Sequence, residues 1–171
     1  MPGNVPEYIV VHCSDSDWGT PADIERWHTA PKPAGNGWPT IGYHYVVENG
    51  RAGSKTGLLP LADGRVTNTL PEHVPGIHTP ALNRKSVAIC MIGTHSFSLA
   101  QRVSLATTVA QLCQRYGIPA SRVLGHCESP TETAKGAGAK TCPNMDMTTV
   151  RAAVGAVLAA VQAAAASIKS T

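Results

Sequence analysis

The sequence predicts an α/β fold, a single domain built on a central mixed β-sheet flanked by helices. Three observations carry this expectation. Short β-branched runs alternate along the chain with segments of helical periodicity. Its 171 residues suit one domain that buries a core without staples. Hydrophobic residues at 43% against charged residues at 15% exclude a disordered chain, because enough apolar surface is available to offset the ordering entropy.

Tyr8-Ile9-Val10-Val11-His12-Cys13 is a β-branched run bounded by polar residues and reads as a strand. Alternation puts Tyr8, Val10 and His12 on one face and Ile9, Val11 and Cys13 on the other. Thr20-Pro21-Ala22-Asp23 is a helix start, with Thr as N-cap, Pro in the first turn and an acid behind it. That helix runs to about His28 with Ile24, Trp27 and His28 on one face, and Pro31, Pro33, Gly35 and Gly37 end it. A second strand covers Tyr43 to Glu48 and closes at the Asn49-Gly50 turn. Residues 51–77 give only hairpins and loop. Ser86 to Ile92 is apolar on both faces, as a central strand is. Ser98 and Gln101 form a capping box for a helix carrying Leu105, Val109, Leu112, Cys113 and Tyr116 on one side; Gly117 and Pro119 stop it. Arg122 to Gly125 is a fourth strand that delivers His126 at its end. After a small-residue loop over 129–141, a helix over about 148–167 carries Val150, Val154, Val157, Leu158 and Val161 at helical spacing and ends in a loosely packed Ala-rich stretch.

Lys and Arg number 14 against 11 Asp and Glu, and there is no basic run of five, so no nucleic acid is expected as a partner. The five cysteines are odd in number and lack a C-x-x-C pair, which argues against a zinc ribbon, a thioredoxin-type motif and a disulfide scaffold. Met1 to Glu7 show no secretory signal, and no apolar run reaches bilayer-spanning length. A reduced, cytoplasmic monomer with no membrane span is therefore expected, with Cys and His available as ligands. No His pair has the i, i+4 spacing of a helical zinc motif. His12 and His126 each close an expected strand, and Cys142 follows a Gly-rich loop able to swing back to them. Three such nitrogen and sulfur donors suit zinc, with water in the fourth place.

Seven segments then fall in a telling order: His12-Cys13-Ser14, Trp27-His28, Gly42-Tyr43-His44-Tyr45, Gly76-Ile77-His78 through Asn83, Ser86 through Gly93, Gly125-His126-Cys127-Glu128, and Lys140-Thr141-Cys142-Pro143. This order resembles the zinc-dependent type-2 N-acetylmuramoyl-L-alanine amidases, which include lysozyme-type amidases of bacteriophages and the peptidoglycan recognition proteins. The likeness spans about residues 8–146, leaving the C-terminal helix outside it. It implies one catalytic Zn2+ and a zinc cleft at the strand ends. The implied reaction is hydrolysis of the amide between the muramic acid lactyl group and the L-alanine of the stem peptide, in peptidoglycan or a muropeptide.

Carried over residue by residue, the resemblance makes His12, His126 and Cys142 the metal ligands. Tyr43 matches the catalytic tyrosine, and Lys140, two residues before the ligand cysteine, matches the catalytic lysine. On this reading Lys140 offers positive charge to the oxyanion, while Tyr43 bonds either to the attacking water or to the oxyanion. His78 matches a cleft histidine expected to contact substrate or to help the transition state. Asn83 either orients that loop or touches the muramic acid. Cys90 stands where cytoplasmic recycling amidases carry a glutamate, which favours the phage-type mechanism. Residues 50–63 look like an inserted hairpin or loop, and the 129–141 loop is expected to border the substrate groove. Cys13, Cys90 and Cys113 are expected as core thiols, Cys127 as a non-ligand and His44 as a hydrogen-bonded core residue. The leading expectation is a phage or prophage endolysin, cytoplasmic until released to the cell wall. A muropeptide-recycling amidase and a non-catalytic peptidoglycan-binding module are the alternatives.

Overall fold

The computed structural model describes residues 3–54, 56–130 and 140–169. Strands and helices follow in the order β1 (Tyr8–Cys13), α1 (Pro21–Thr29), β2 (Tyr45–Val47), β3 (Val66–Asn68), β4 (Ser86–Met91), α2 (Leu99–Tyr116), β5 (Val123–Gly125) and α3 (Met147–Lys169). The five strands form one sheet in the order β3-β2-β4-β1-β5. β1 runs parallel to β4 and β5, and β2 parallel to β4; β3 is antiparallel, so the sheet is mixed.

The period-two pattern decides what covers each face. Ile9, Val11, Val87, Ile89 and Met91 pack with Leu105, Val109 and Leu112 of α2 and with Val150 and Val154 of α3. Val46, Cys90 and Ile92 point the other way, under Ile24 of α1, Ile41 and Leu70. Ile9, Val10 and Val11 of β1 and Val87 to Met91 of β4 are fully buried, which is why both strands read as unbroken apolar runs. Each such Val, Leu or Ile stabilises the fold by about 1.5–3 kcal/mol relative to exposure. The expected capping box of Ser98 with Gln101 opens α2, the expected N-cap Thr20 forms a further box with Asp23 on α1, and Gly117 ends α2 at φ 66°.

The elements depart from expectation in a few places. β2 begins at Tyr45 rather than Tyr43; just before it the Gly42 backbone is bound outside the sheet, its N–H donating to His28 Nδ1 of α1 at 3.0 Å and its carbonyl accepting from the Ile77 N–H. The loop over 51–77 contains the short edge strand β3, whose Val-Thr-Asn sequence carries little apolar signal. Arg122 closes a 3-10 turn instead of starting β5, and His126 opens another. α3 starts at Met147, where the Asp146 carboxylate accepts from the Thr148 and Thr149 N–H groups. Val161, expected on its packed face, is 44% exposed.

Met147–Ile168 also corrects the expectation that no apolar run is long enough to cross a bilayer. Within its 22 residues an 18-residue window has a mean hydropathy of 1.6. Met147, Val150 and Val154 are nevertheless built into the core. Val157 and Leu158 pack against the same core, so the first three turns of the helix are tied to the sheet.

Candidate metal centre and cleft

Two neighbouring parallel strands set up the site. Val11 of β1 pairs with Gly125 of β5, so His12 and His126 emerge side by side at the C-terminal ends of neighbouring strands. Their ring centroids are 4.5 Å apart. Cys142 arrives from 130 residues away along the chain, with Sγ 3.9 Å from His12 Nδ1. Gly125 makes this approach possible, because a Cβ there would stand 2.8 Å from Pro143 Cδ and 3.0 Å from Met147 Cγ. The ligand atoms of His12, His126 and Cys142 lie within 4.8 Å of one another. A tetrahedral zinc site needs donor separations of about 3.5 Å, so two imidazoles and a thiol in this arrangement fit such an ion after a small contraction. Among the described residues no fourth His, Cys, Asp or Glu joins the group.

The cysteine loop is held from several sides. The Cys13 N–H donates to Cys142 Sγ at 3.3 Å, and the Cys127 N–H donates to the Cys142 carbonyl at 2.8 Å. Asn144 sits in the left-handed region at φ 57°, a conformation that Asn tolerates. Its Nδ2 donates to the Thr94 carbonyl at 2.8 Å and reaches Cys13 Sγ at 3.6 Å. Cys13 is buried, as expected of a core thiol, but its sulfur also borders the cleft. Burial, with His78 and His126 alongside, holds His12 well below the usual 6.5, so its ring is neutral and able to ligate. Without a metal, the adjacent Cys13 thiol and burial hold the Cys142 thiol well above its ordinary range, so ligation must expel a proton.

An open cleft of about 370 Å³ lies over this group, lined by Tyr43, His126, Lys140 and Cys142 together with Asp15 and Asn144. Lys140 is exposed at its rim. The Tyr43 ring packs 5.0 Å from His12 and 5.2 Å from His28. Burial raises its phenol well above 10, so it stays protonated and its O–H is available to donate. His12, His126, Cys142, Tyr43 and Lys140 are thus gathered at one place.

His78 and Asn83 stand elsewhere. With Trp38, Thr79 and Pro80 they line a separate hollow of about 150 Å³. Asn83 Oδ1 accepts from the His78 and Thr79 N–H groups at 2.8 and 2.9 Å, the loop-orienting geometry. The His78 ring lies behind His12 instead of in the metal cleft, and burial lowers its pKa to about 3. His44 is a core residue: its Nδ1 accepts from the Ala88 N–H at 2.9 Å while Nε2 faces the Val74 carbonyl. Cys90 is fully buried, and burial raises its thiol well above 9. Residues 131–139, the body of the loop expected to border the groove, lie outside the described residues. Asn144 and Gly125 have supporting roles here that sequence reasoning did not assign. Only the glycine, next to His126, carried a visible signal.

The sequence model of the N-acetylmuramoyl-L-alanine amidase family matches residues 2–145. The chain belongs to that family. Solved structures share the amidase fold. N-acetylmuramoyl-L-alanine amidase LysC from Clostridium intestinale aligns with a TM-score of 0.68 and 21% identity, over 91% of each chain. The Ph2119 endolysin of a Thermus scotoductus bacteriophage aligns at 0.63 and 25% identity, over 89% of this chain and 86% of that one. Drosophila PGRP-LB aligns at 0.59 and 22%, over 84% and 78%. No curated protein matches the amidase chain.

Proposed function

We propose that this amidase is zinc-dependent and cleaves the lactyl–L-alanine amide of peptidoglycan as a lytic enzyme of phage or prophage origin. The observation that supports it best is the three-donor set of His12, His126 and Cys142, opening on a cleft that also holds Tyr43 and Lys140. Structural zinc sites are closed by four protein ligands, whereas three donors beside a cleft are the hydrolytic pattern. When bound there, zinc supplies Lewis acidity, polarising the amide carbonyl and activating water near neutral pH.

The chain's own residues account for the rest. Tyr43, a neutral phenol, donates a hydrogen bond to the oxygen on which charge develops. Lys140 brings a cation to the same cleft. The Cys13 N–H hydrogen-bonds the Cys142 sulfur and steadies its negative charge once deprotonated. Cys90, buried and protonated, takes no part in proton transfer at neutral pH. A binding module would not need Cys142, Tyr43 and Lys140 at one cleft.

The endolysin among the structural relatives favours the lytic role over muropeptide recycling. Digestion of intact sacculi beside soluble anhydro-muropeptides separates the two. The proposal expects release of stem peptides from sacculi; activity confined to the soluble substrate contradicts it.

A further inference from the structure

His78 lies outside the metal cleft, yet its ring is bonded to a ligand of that site. Its Nδ1 is 3.0 Å from His12 Nε2, and its Nε2 is 3.2 Å from Ser86 Oγ. Ser86 Oγ is in turn 2.8 Å from the Leu82 carbonyl oxygen. Hydrogen bonds along this row have one consistent direction. Two oxygens that close need a proton between them, and a carbonyl only accepts, so the buried Ser86 hydroxyl donates to Leu82. Its oxygen then accepts from His78 Nε2–H. A neutral imidazole carries a single ring proton, which leaves His78 Nδ1 as an acceptor, and His12 Nε2 must supply the N–H. His12 Nδ1, the atom facing Cys142 Sγ at 3.9 Å, is left with its lone pair.

We infer that His78 is a positioning residue: with Ser86 and the Leu82 carbonyl it holds His12 as the Nε2–H tautomer, presenting Nδ1 to the metal. The ring of His78 is itself fixed. Asn83 Oδ1 binds its backbone N–H at 2.8 Å. Gly76 leaves the ring its space, since a Cβ there would stand 2.6 Å from His78 Cδ2. Such partners of ligating histidines set ring orientation and typically contribute about 10–100-fold in metal affinity. The inference rests on the zinc reading of the His12, His126 and Cys142 set.

The metal-free wild type tests the hydrogen-bond row directly. Long-range proton–nitrogen NMR of the imidazoles should show His12 and His78 both as Nε2–H, and an Nδ1–H form of either overturns the inference. In a zinc titration against a chromophoric chelator, His78→Leu should bind about 10–100-fold more weakly. His78→Asn, which returns an acceptor oxygen near the place of Nδ1, should recover most of that loss. The visible bands of the cobalt-substituted protein should shift in His78→Leu and return in His78→Asn. Unchanged zinc affinity in His78→Leu, with only KM altered, assigns the residue to substrate and overturns the positioning role. Failure of the wild type to bind zinc at all overturns the zinc reading instead.

Discussion

Tyr43 and Lys140 share one cleft but meet it differently. Tyr43 is packed against His12 and His28 with its phenol kept protonated, whereas Lys140 is an exposed cation at the rim. Neither belongs to the donor cluster, so removing either should spare the metal. Lys140→Ala and Tyr43→Phe are each expected to lower turnover by about 10²–10³-fold with zinc content unchanged, as loss of one oxyanion donor typically does. Metal analysis beside a muropeptide assay checks this, and loss of zinc from Lys140→Ala would mean that the lysine supports the ligand shell. The five residues at the cleft were legible from their types and order along the chain. Their supporting partners were not. Ser86 acts through His78 and Asn144 through Thr94, across 8 and 50 residues, and such contacts leave no periodicity to read.

Among the elements, β1 and β4 were the most legible, because a strand buried on both faces must be apolar throughout. The two capped helices were equally plain, since their end residues are chosen by unpaired backbone groups. β3 was not legible, because a three-residue edge strand with two polar members gains little from burial. The segment between β3 and β4 is where chain geometry bears most on the site. Gly76 packs against the His78 ring and the Gly42 carbonyl, where a Cβ would come within 2.6 and 2.8 Å. Gly76→Ala must open both contacts. It should lower both Tm and zinc affinity, measured by thermal unfolding and chelator competition; an unaltered affinity would show that the His78 ring can move without disturbing His12.

At the scale of the molecule, four histidines inside the fold make it sensitive to acid. Burial lowers the pKa of His12, His28, His44 and His78 below 6.5, to about 4 for His28 and about 3 for His78. The unfolded chain therefore binds more protons than the folded one below about pH 6.5. Stability is full above that value and is lost as pH falls toward the folded-state values. The Tm of the metal-free protein should hold near neutrality and drop by about pH 5, and a level Tm would contradict this burial pattern. Metal binding adds a second pH dependence: the raised Cys142 thiol must lose its proton, so zinc affinity should rise with pH. All of these expectations converge on whether His12, His126 and Cys142 hold a catalytic zinc ion. The most direct test measures zinc content and sacculus hydrolysis together, for the wild type before and after chelation and for Cys142→Ser. One zinc per wild-type chain is expected, with hydrolysis lost on chelation and restored by added zinc, and both metal and activity strongly reduced in Cys142→Ser. Full hydrolysis by the metal-stripped protein would contradict it.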